Sequence, residues 1–399
     1  MKILWVCSTF LHPTNKGGQI RTLEMLKRLH QSHEIHYLAY HKPGETEGLD
    51  RASEYSTRAY GIPHEVPSRG SLAFFGQMAG NLFSSLPLSI SRYVTAEMDA
   101  KISNLRDAES FDSVVCDFLY PAPNFKSIGD VVLFQHNVES MIWKRHVESS
   151  SDLARRLYFS HEHKRMAAFE EKICRQCAHV IAVSAVDARK MEQLFGVNHV
   201  SDVKTGVDIG YFAPPAEARK AVADMVFVGS MDWMPNIDGM KFFVAEVLPL
   251  IQAKLPSATL AIVGRTPPPE IQKMASGNIQ VTGTVPDIRP YLWGSKISIV
   301  PLRIGSGTRL KIYEAMAAKS AVVSTTVGAE GLIYHDGENI AIADTPEDFA
   351  ARCVELIQDE RRRTAMAAAA FQLVKDHFSW EQVTREFEQT LMKFPARKH

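Results

Sequence analysis

The sequence predicts an α/β chain of two doubly wound units, and three observations carry that prediction. Strand-like apolar runs alternate with helical patterns from the first residue to about position 340, the signature of helices covering both faces of a parallel sheet. The alternation falls into two series separated by a turn-rich connection. The chain has 399 residues, beyond the roughly 250–300 that one core holds and suited to two domains of about 200 each.

In the first series, strands are expected at 2–8, 34–40, 113–116, 131–135, 179–183 and 199–204, each a short apolar run as in strands buried on both faces. Helices connect them, one of them long and polar over 139–177. A boundary is expected near 200–215, where Thr205-Gly206-Val207-Asp208 makes a turn and Pro214-Pro215 opens a stretch of small and charged residues. The second series has strands at 225–228, 259–263, 279–282, 297–300, 321–324 and 340–342. Past position 345 the pattern is helical, and Phe378-Ser379-Trp380-Glu381 opens a last amphipathic helix with Ser379 as its N-cap. The expected domains are 1–205, 206–378 and a terminal helix, 379–399. Two such units facing each other across a hinge would form a cleft at their strand carboxyl ends, where open sheets of this kind bind ligands.

Composition removes several function classes. With 45% hydrophobic and 23% charged residues the chain is an ordinary globular protein, neither disordered nor a disulfide scaffold. Lys plus Arg equals Asp plus Glu at 45 each, and positions 1–200 hold 23 basic and 22 acidic residues, so no half offers a field for nucleic acid. Five cysteines, an odd and small number, read as thiols in a reducing compartment. The amino-terminal apolar run is about five residues, short of a signal-peptide core of roughly 7–15. About half of the charge-free stretch 70–91 is Ser, Gly, Gln, Asn or Pro, so no transmembrane helix is expected. The expected location is cytoplasmic, with peripheral contact at the inner face of the cell membrane left open. Segment 72–90, with Phe74, Phe75, Leu82, Phe83 and Leu86, is expected in the core rather than on a bilayer. The basic residues of 144–175 are expected on a solvated face.

Chemistry is expected in the strand-to-helix loops. The first, Pro13 to Arg21, places Gly17 and Gly18 where a helix starts, so a ligand can approach the backbone and an anion the free N–H groups; an ordinary turn is the alternative. No GxGxxG pattern occurs, which argues against a nicotinamide or flavin enzyme. The second, Phe134 to Glu139, sets His136 just beyond an apolar strand. Of the other histidines only His161 and His163 are close on one helix, and positions two apart do not share a face, so no zinc site is expected. Cys174-Arg-Gln-Cys177 lacks a second pair. The third and densest loop runs from Val300 through Arg303, Gly305, Ser306, Gly307, Thr308 and Arg309 to Lys311 and Glu314. A buried strand ends there in a glycine-containing turn, and a helix is expected from about Thr308, presenting N–H groups and a positive dipole end that suit a diphosphate. Lys311 and Glu314 are three apart on one face, so a cation could neutralise phosphate while the carboxylate accepts hydrogen bonds from vicinal sugar hydroxyls; from spacing alone, an i,i+3 salt bridge is the other reading.

Together these features resemble a known family, the group 1 retaining glycosyltransferases (family 4) of the two-domain GT-B fold. The likeness is carried by Gly17-Gly18, His136, Val180-Ile-Ala-Val-Ser184, Gly206-Val207-Asp208 with Phe212, Phe227-Val228-Gly229, Ile262-Val263-Gly264, Thr282-Gly283-Thr284-Val285, Glu314-Ala-Met-Ala, Val322-Val323-Ser324-Thr325 and Trp380-Glu381. It spans nearly the whole chain and is strongest over 225–332. The resemblance implies that the carboxyl-terminal domain binds a nucleotide-sugar donor, that the amino-terminal domain presents the acceptor, and that the last helix returns to the first domain. Carried over residue by residue, Glu314 looks like the ribose-binding carboxylate and the Gly307–Arg309 backbone like the phosphate cradle, with Ser306 and Thr308 among the donor-binding positions. Val285 looks like a base contact and His136 like a contact to the donor sugar and phosphate. Gly17 and Gly18 look like a backbone lid over the diphosphate, and Gly229, Ser230 and Arg265 stand among the donor-binding positions.

Two departures stand out. Where the family's pattern has a glutamate eight residues before the helix glutamate, this chain has Ser306, and the Arg and Lys that commonly follow the second-domain glycine are missing after Gly229. Arg303, Arg309 or Lys311 is expected to supply the compensating charge, Lys311 first, which makes His136, Lys311 and Glu314 the expected catalytic set. The absence of Asp-x-Asp predicts transfer without metal or cofactor; retention of configuration is implied by resemblance. Partners are then a nucleotide-sugar donor and a glycan, lipid-linked or small-molecule acceptor. The rival readings are a nucleotide-sugar hydrolase or epimerase on the same fold and a non-catalytic nucleotide-sugar-binding protein.

Overall fold

Both sheets are parallel throughout, each strand reached from the one before by a crossover connection, helical in most cases, that returns it to the same end. A computed structural model describes residues 1–14, 17–68, 70–150, 152–215, 221–304 and 309–396. The chain divides into two units, Met1–Thr205 with Val383–His399, and Gly206–Gln382.

The first unit contains β1 (Lys2–Val6), β2 (Glu34–His41), β3 (Arg58–Pro63), β4 (Ser113–Asp117), β5 (Val132–Gln135), β6 (His179–Ala182) and β7 (Val200–Asp202), in the order β3-β2-β1-β4-β5-β6-β7. The second contains β8 (Ala223–Val228), β9 (Leu260–Val263), β10 (Ile279–Gly283), β11 (Ser295–Val300), β12 (Ala321–Ser324) and β13 (Ala341–Ile342), in the order β10-β9-β8-β11-β12-β13. Each order reverses beside its first strand, at β1/β4 and at β8/β11. Those switch points are where the carboxyl ends of doubly wound sheets open a crevice. Ile3, Leu4, Trp5 and Val6 on β1 and Met225, Val226 and Phe227 on β8 are fully buried, which is why such strands read as unbroken apolar runs.

Two expected elements need correction. β3 was not foreseen: Arg58-Ala-Tyr-Gly-Ile-Pro63 is a partly exposed edge strand, and its glycine and proline hide the strand pattern. The helix expected over 139–177 is two helices, Glu139–Ser149 and Leu153–Gln176, packed along each other. Asp152 makes the break: it is extended, and its carboxylate accepts the Arg155 N–H at 2.7 Å, starting a new helix.

The long second helix carries two buried glutamates that serve the amino ends of other helices. Glu162 accepts the Leu88 N–H at 2.9 Å, and Glu170 accepts the N–H groups of Glu139 and Ser140, both at 2.8 Å. A carboxylate at a helix amino end meets both free donors and the positive end of the dipole. In segment 72–90, Leu88 and Ile90 are core, whereas Leu72, Phe75, Leu82 and Phe83 are exposed, which overturns the core expectation for those four. At the far end, Ser379 Oγ caps the helix Trp380–Lys393 by accepting the Gln382 N–H. Phe387 of that helix packs in the first unit against Trp5 and Phe134, at ring distances of 5.6 and 5.1 Å.

Candidate active site

In the first unit, three strand ends and one helix start converge on His136. Asp117 ends β4 fully buried, and its carboxylate accepts from Trp5 Nε1 at 3.0 Å, Thr22 Oγ1 at 2.8 Å and His136 Nε2 at 2.7 Å. Arg21, on the helix Gly17–Leu29, approaches His136 Nδ1 at 3.1 Å and also bonds the Thr205 hydroxyl. A guanidinium only donates, so His136 is the neutral tautomer with its proton on Nε2. Burial pulls the imidazole below its ordinary pKa; Asp117 pulls the other way and Arg21 adds to the lowering. Phe118, at φ +65°, lays its ring on the imidazole at 3.8 Å and 8°. A side chain at position 18 would start 2.5 Å from Phe118 Cζ and 3.4 Å from His136 Nδ1, so glycine there gives the helix start its close approach to the imidazole. Gly17 lies in open space.

The loop after β5 is held from behind. Glu170 Oε1 accepts from Gln135 Nε2 at 2.9 Å as well as from the Glu139 N–H. Burial pushes the Glu170 carboxyl up to about 7 and raises Glu139 too. Beside this region, at the carboxyl ends of β1 to β3, a cavity of about 690 Å³ is lined by Thr9, His12, Tyr40, His41, His64 and Tyr93 among others.

In the second unit, the switch point between β8 and β11 gathers Gly229, Ser230, Asn236, Lys311 and Glu314. Lys311, on the helix Leu310–Ala317, donates to Asn236 Oδ1 at 2.7 Å, and Asn236 Nδ2 donates to the Ser230 carbonyl at 2.6 Å. The ammonium also stands 4.5 Å over the Phe227 ring. Burial lowers its pKa to about 7, with Glu314 opposing and Arg309 adding to the fall. No ion pair joins Lys311 to Glu314 among the described residues, so the salt-bridge reading of that spacing is not realised. The Glu314 carboxylate is half-buried and raised by burial, and the bonds found among the described residues do not include one to it. It is a carboxylate with acceptor capacity to spare.

Close backbone approach explains two glycines here. A Cβ on Gly229 would lie 2.6 Å from Lys311 Nζ, and one on Gly264 would collide with the Gly229 carbonyl. Arg265 Nε donates to Ser230 Oγ at 2.7 Å beside Asp232, which also accepts from Ser230 Oγ at 2.6 Å. Val285, after β10, packs half-buried on the core. Arg309 is buried with its guanidinium 5.6 Å from the Trp233 ring. Arg303 is committed elsewhere: Asp238 takes it at 2.8 and 3.1 Å, with Glu246 at 3.8 Å. Gly305, Ser306, Gly307 and Thr308 lie outside the described residues.

Sequence reasoning missed Asp117, Asn236 and Glu170. Asp117 had a readable signal, a lone acid closing the apolar run Val114-Val115-Cys116; Asn236 and Glu170 had none. All five cysteines are free and buried. One group of possible metal ligands occurs among the described residues, Glu34, His36 and Glu109. It lies at the opposite, amino end of the first sheet, and Lys2 already pairs with both glutamates.

Two Rossmann-like α/β units with these switch-point sites define the GT-B class. Residues 223–359 match the family model described as "Glycosyl transferases group 1", and the chain shares the GT-B fold of solved glycosyltransferase structures. It is 22% identical over 397 residues to a 44.6 kDa protein in the cps region of Klebsiella pneumoniae, covering 96% of this chain and 97% of that one. It is 26% identical over 220 residues to the phosphatidyl-myo-inositol mannosyltransferase of Mycolicibacterium smegmatis, a match that spans 52% of this chain and about half, 55%, of that protein. Among solved structures, Anabaena Alr3699/HepE in complex with UDP superposes with a TM-score of 0.65 at 14% identity, covering 98% of this chain and all of that one. The Anabaena protein has also been solved with UDP and glucose and with UDP-glucose.

Proposed function

We propose that this chain transfers a sugar from a nucleoside diphosphate sugar, bound by the second unit, to a hydroxyl of a glycan or lipid-linked acceptor in polysaccharide biosynthesis, without metal and with retention of configuration. The observation that carries this reading is the Lys311–Asn236–Gly229 cluster beside Glu314. It sets one titratable cation and one carboxylate with spare acceptor capacity at the crevice of a doubly wound sheet. UDP in the Anabaena structure and the mannosyltransferase relative support a nucleotide-sugar donor.

In this reading Glu314 accepts hydrogen bonds from the ribose hydroxyls and Lys311 faces the diphosphate. The bond from the anomeric carbon to the phosphate oxygen breaks, the acceptor oxygen bonds to that carbon, and the acceptor proton passes to a departing phosphate oxygen. Stabilising charge on the leaving diphosphate is then the main catalytic demand, which a cation and backbone N–H groups meet. His136 and the Gly17-Gly18 turn are assigned to the donor by resemblance, and the 690 Å³ cavity, with its histidines and tyrosines, to the acceptor.

Calorimetric titration with UDP, GDP and ADP, then a donor panel with and without acceptor and EDTA, tests this. Tight binding of one diphosphate and EDTA-resistant transfer are expected. Turnover of donor with no acceptor requirement would favour a hydrolase or epimerase, and complete loss in EDTA would overturn metal independence.

A further inference from the structure

We propose that Arg21 is a positioning residue that keeps the His136 imidazole uncharged by standing where its second proton would bind. The assignment goes beyond the proposed function, and only its consequence for turnover rests on that reading.

Left with Asp117 alone, His136 would take up a proton readily. The carboxylate accepts from Nε2 at 2.7 Å, with Asp117 fully buried and His136 5% exposed. An anion this close favours the imidazolium, and the lone pair on Nδ1 is where the extra proton would go. Arg21 occupies that lone pair. Its Nη1 stands 3.1 Å from Nδ1, and its Nη2 is anchored on the hydroxyl of Thr205, the last residue before the division between the units. A guanidinium only donates, so it fills the one acceptor of the neutral ring and sets a positive charge beside it. The ring is held from other directions as well. Phe118 stacks on it at 3.8 Å, the Phe134 ring lies 4.4 Å away, and Gly18 lets the helix start pass close to Nδ1.

Few other charges face the imidazole. β4 brings Asp117, and the helix Gly17–Leu29 brings Arg21. In the loop after β5, Glu139 turns to Asn137 and Tyr120, both at 3.4 Å, and Glu170 is taken by Gln135 and by helix N–H groups. The terminal helix presents Phe387, which packs on Phe134. Asp187, in the first turn of the helix Ala185–Phe195, acts on Arg21 and accepts from Ser184 Oγ at 2.8 Å. The bonds of the guanidinium among the described residues go to His136 and Thr205, neither of which cancels its charge. Burial lowers the Arg21 pKa to about 10, with Asp117 and Asp187 opposing, so the group stays a cation at neutral pH. Burial and then Arg21 hold the imidazole below its ordinary pKa against the pull of Asp117.

NMR titration of the ring nitrogens in histidine-labelled full chain, with His136→Gln to identify the signal, reads the charge without any substrate. In the wild type His136 is expected to be uncharged at pH 7, with its proton on Nε2. Arg21→Met should move its titration up to about 7.5, one unit above an ordinary histidine, and Arg21→Lys, which keeps a cation, should give back most of that rise. Thr205→Val, which loosens the guanidinium without removing it, should give a smaller rise and serves should Arg21→Met fail to fold. In turnover, the kcat of Arg21→Met relative to wild type should be about one tenth at pH 6.5 and return toward one by pH 9, a recovery that damage to the fold alone would not give. A His136 that titrates alike in wild type and in all three variants, or that is charged at pH 7 in the wild type, would overturn the proposal. A raised titration with the same kcat ratio at every pH would uphold the hold of Arg21 on the imidazole and count against the donor role given to His136.

Discussion

Binding of a nucleoside diphosphate is expected to draw a proton onto Lys311. Burial holds that amine near pKa 7 in the unliganded chain, so it is charged in about half the molecules at pH 7 and in about a tenth at pH 8. A phosphate charge about 4 Å away contributes about 4 kcal/mol at an effective dielectric constant near 20, enough to raise the amine by about three pKa units. The complex therefore holds more protons than the free protein from about pH 7 to 10, and affinity falls as pH rises through that window. Linkage with these values gives an uptake of about 0.5 proton per site at pH 7 and about 0.9 at pH 8, with affinity falling about fivefold from pH 7 to 8 and about eightfold more from 8 to 9. Titration calorimetry in two buffers of different ionisation enthalpy reads the uptake directly. Lys311→Met should abolish it and weaken binding at pH 7 by about 3.7 kcal/mol, some 500-fold, the gain that the same pKa values give over a neutral group. A dissociation constant flat from pH 7 to 9, or a pH dependence that survives in Lys311→Met, would refute the assignment.

Three further outcomes follow from the same geometry. Glu314→Ala should weaken nucleotide binding by roughly tenfold or more while leaving the affinity for a 2′,3′-dideoxy analogue unchanged, because the lost hydrogen bonds go to the ribose hydroxyls; equal losses for both ligands would reject that role. Gly18→Ala forces a methyl against Phe118, 2.5 Å from Cζ, and should lower kcat by about tenfold through displacement of the ring on His136, with circular dichroism unchanged; unaltered kcat would deny His136 a part in turnover. Glu170 is raised from 4.5 to about 7, so the folded state holds more protons than the unfolded one between those values and stability falls as pH rises across them. Denaturation of Glu170→Gln should show that fall reduced by up to about 3 kcal/mol, and an unchanged slope between pH 5 and 7 would place the titration elsewhere.

How much was legible depended on whether a residue's role is local. The interior strands were, since Leu4, Val115 and Val226 sit in sheets buried on both faces and their runs need no partner to be recognised. β3 was not, because an edge strand half in water has no pressure to exclude glycine or proline. The break at Asp152 was hidden for a related reason: a serine run tolerates a helix, and only the capping bond reveals that one has restarted. His136, Lys311 and Glu314 were visible because each follows a strand at the face where ligands bind, a position that order along the chain reports. What order along the chain does not report is which cation stays available. Arg303 and Lys311 are both candidates in the sequence, yet Asp238 and Glu246 neutralise the first across elements 65 and 57 positions away, whereas the hydrogen bond the second makes among the described residues goes to the neutral amide of Asn236. An amide orients an ammonium without cancelling its charge, and burial then lowers the ammonium's pKa until an anion arrives. Under the proposed function, the cation facing the diphosphate is then one whose charge would follow the ligand, and the pH dependence of binding tests that assignment directly.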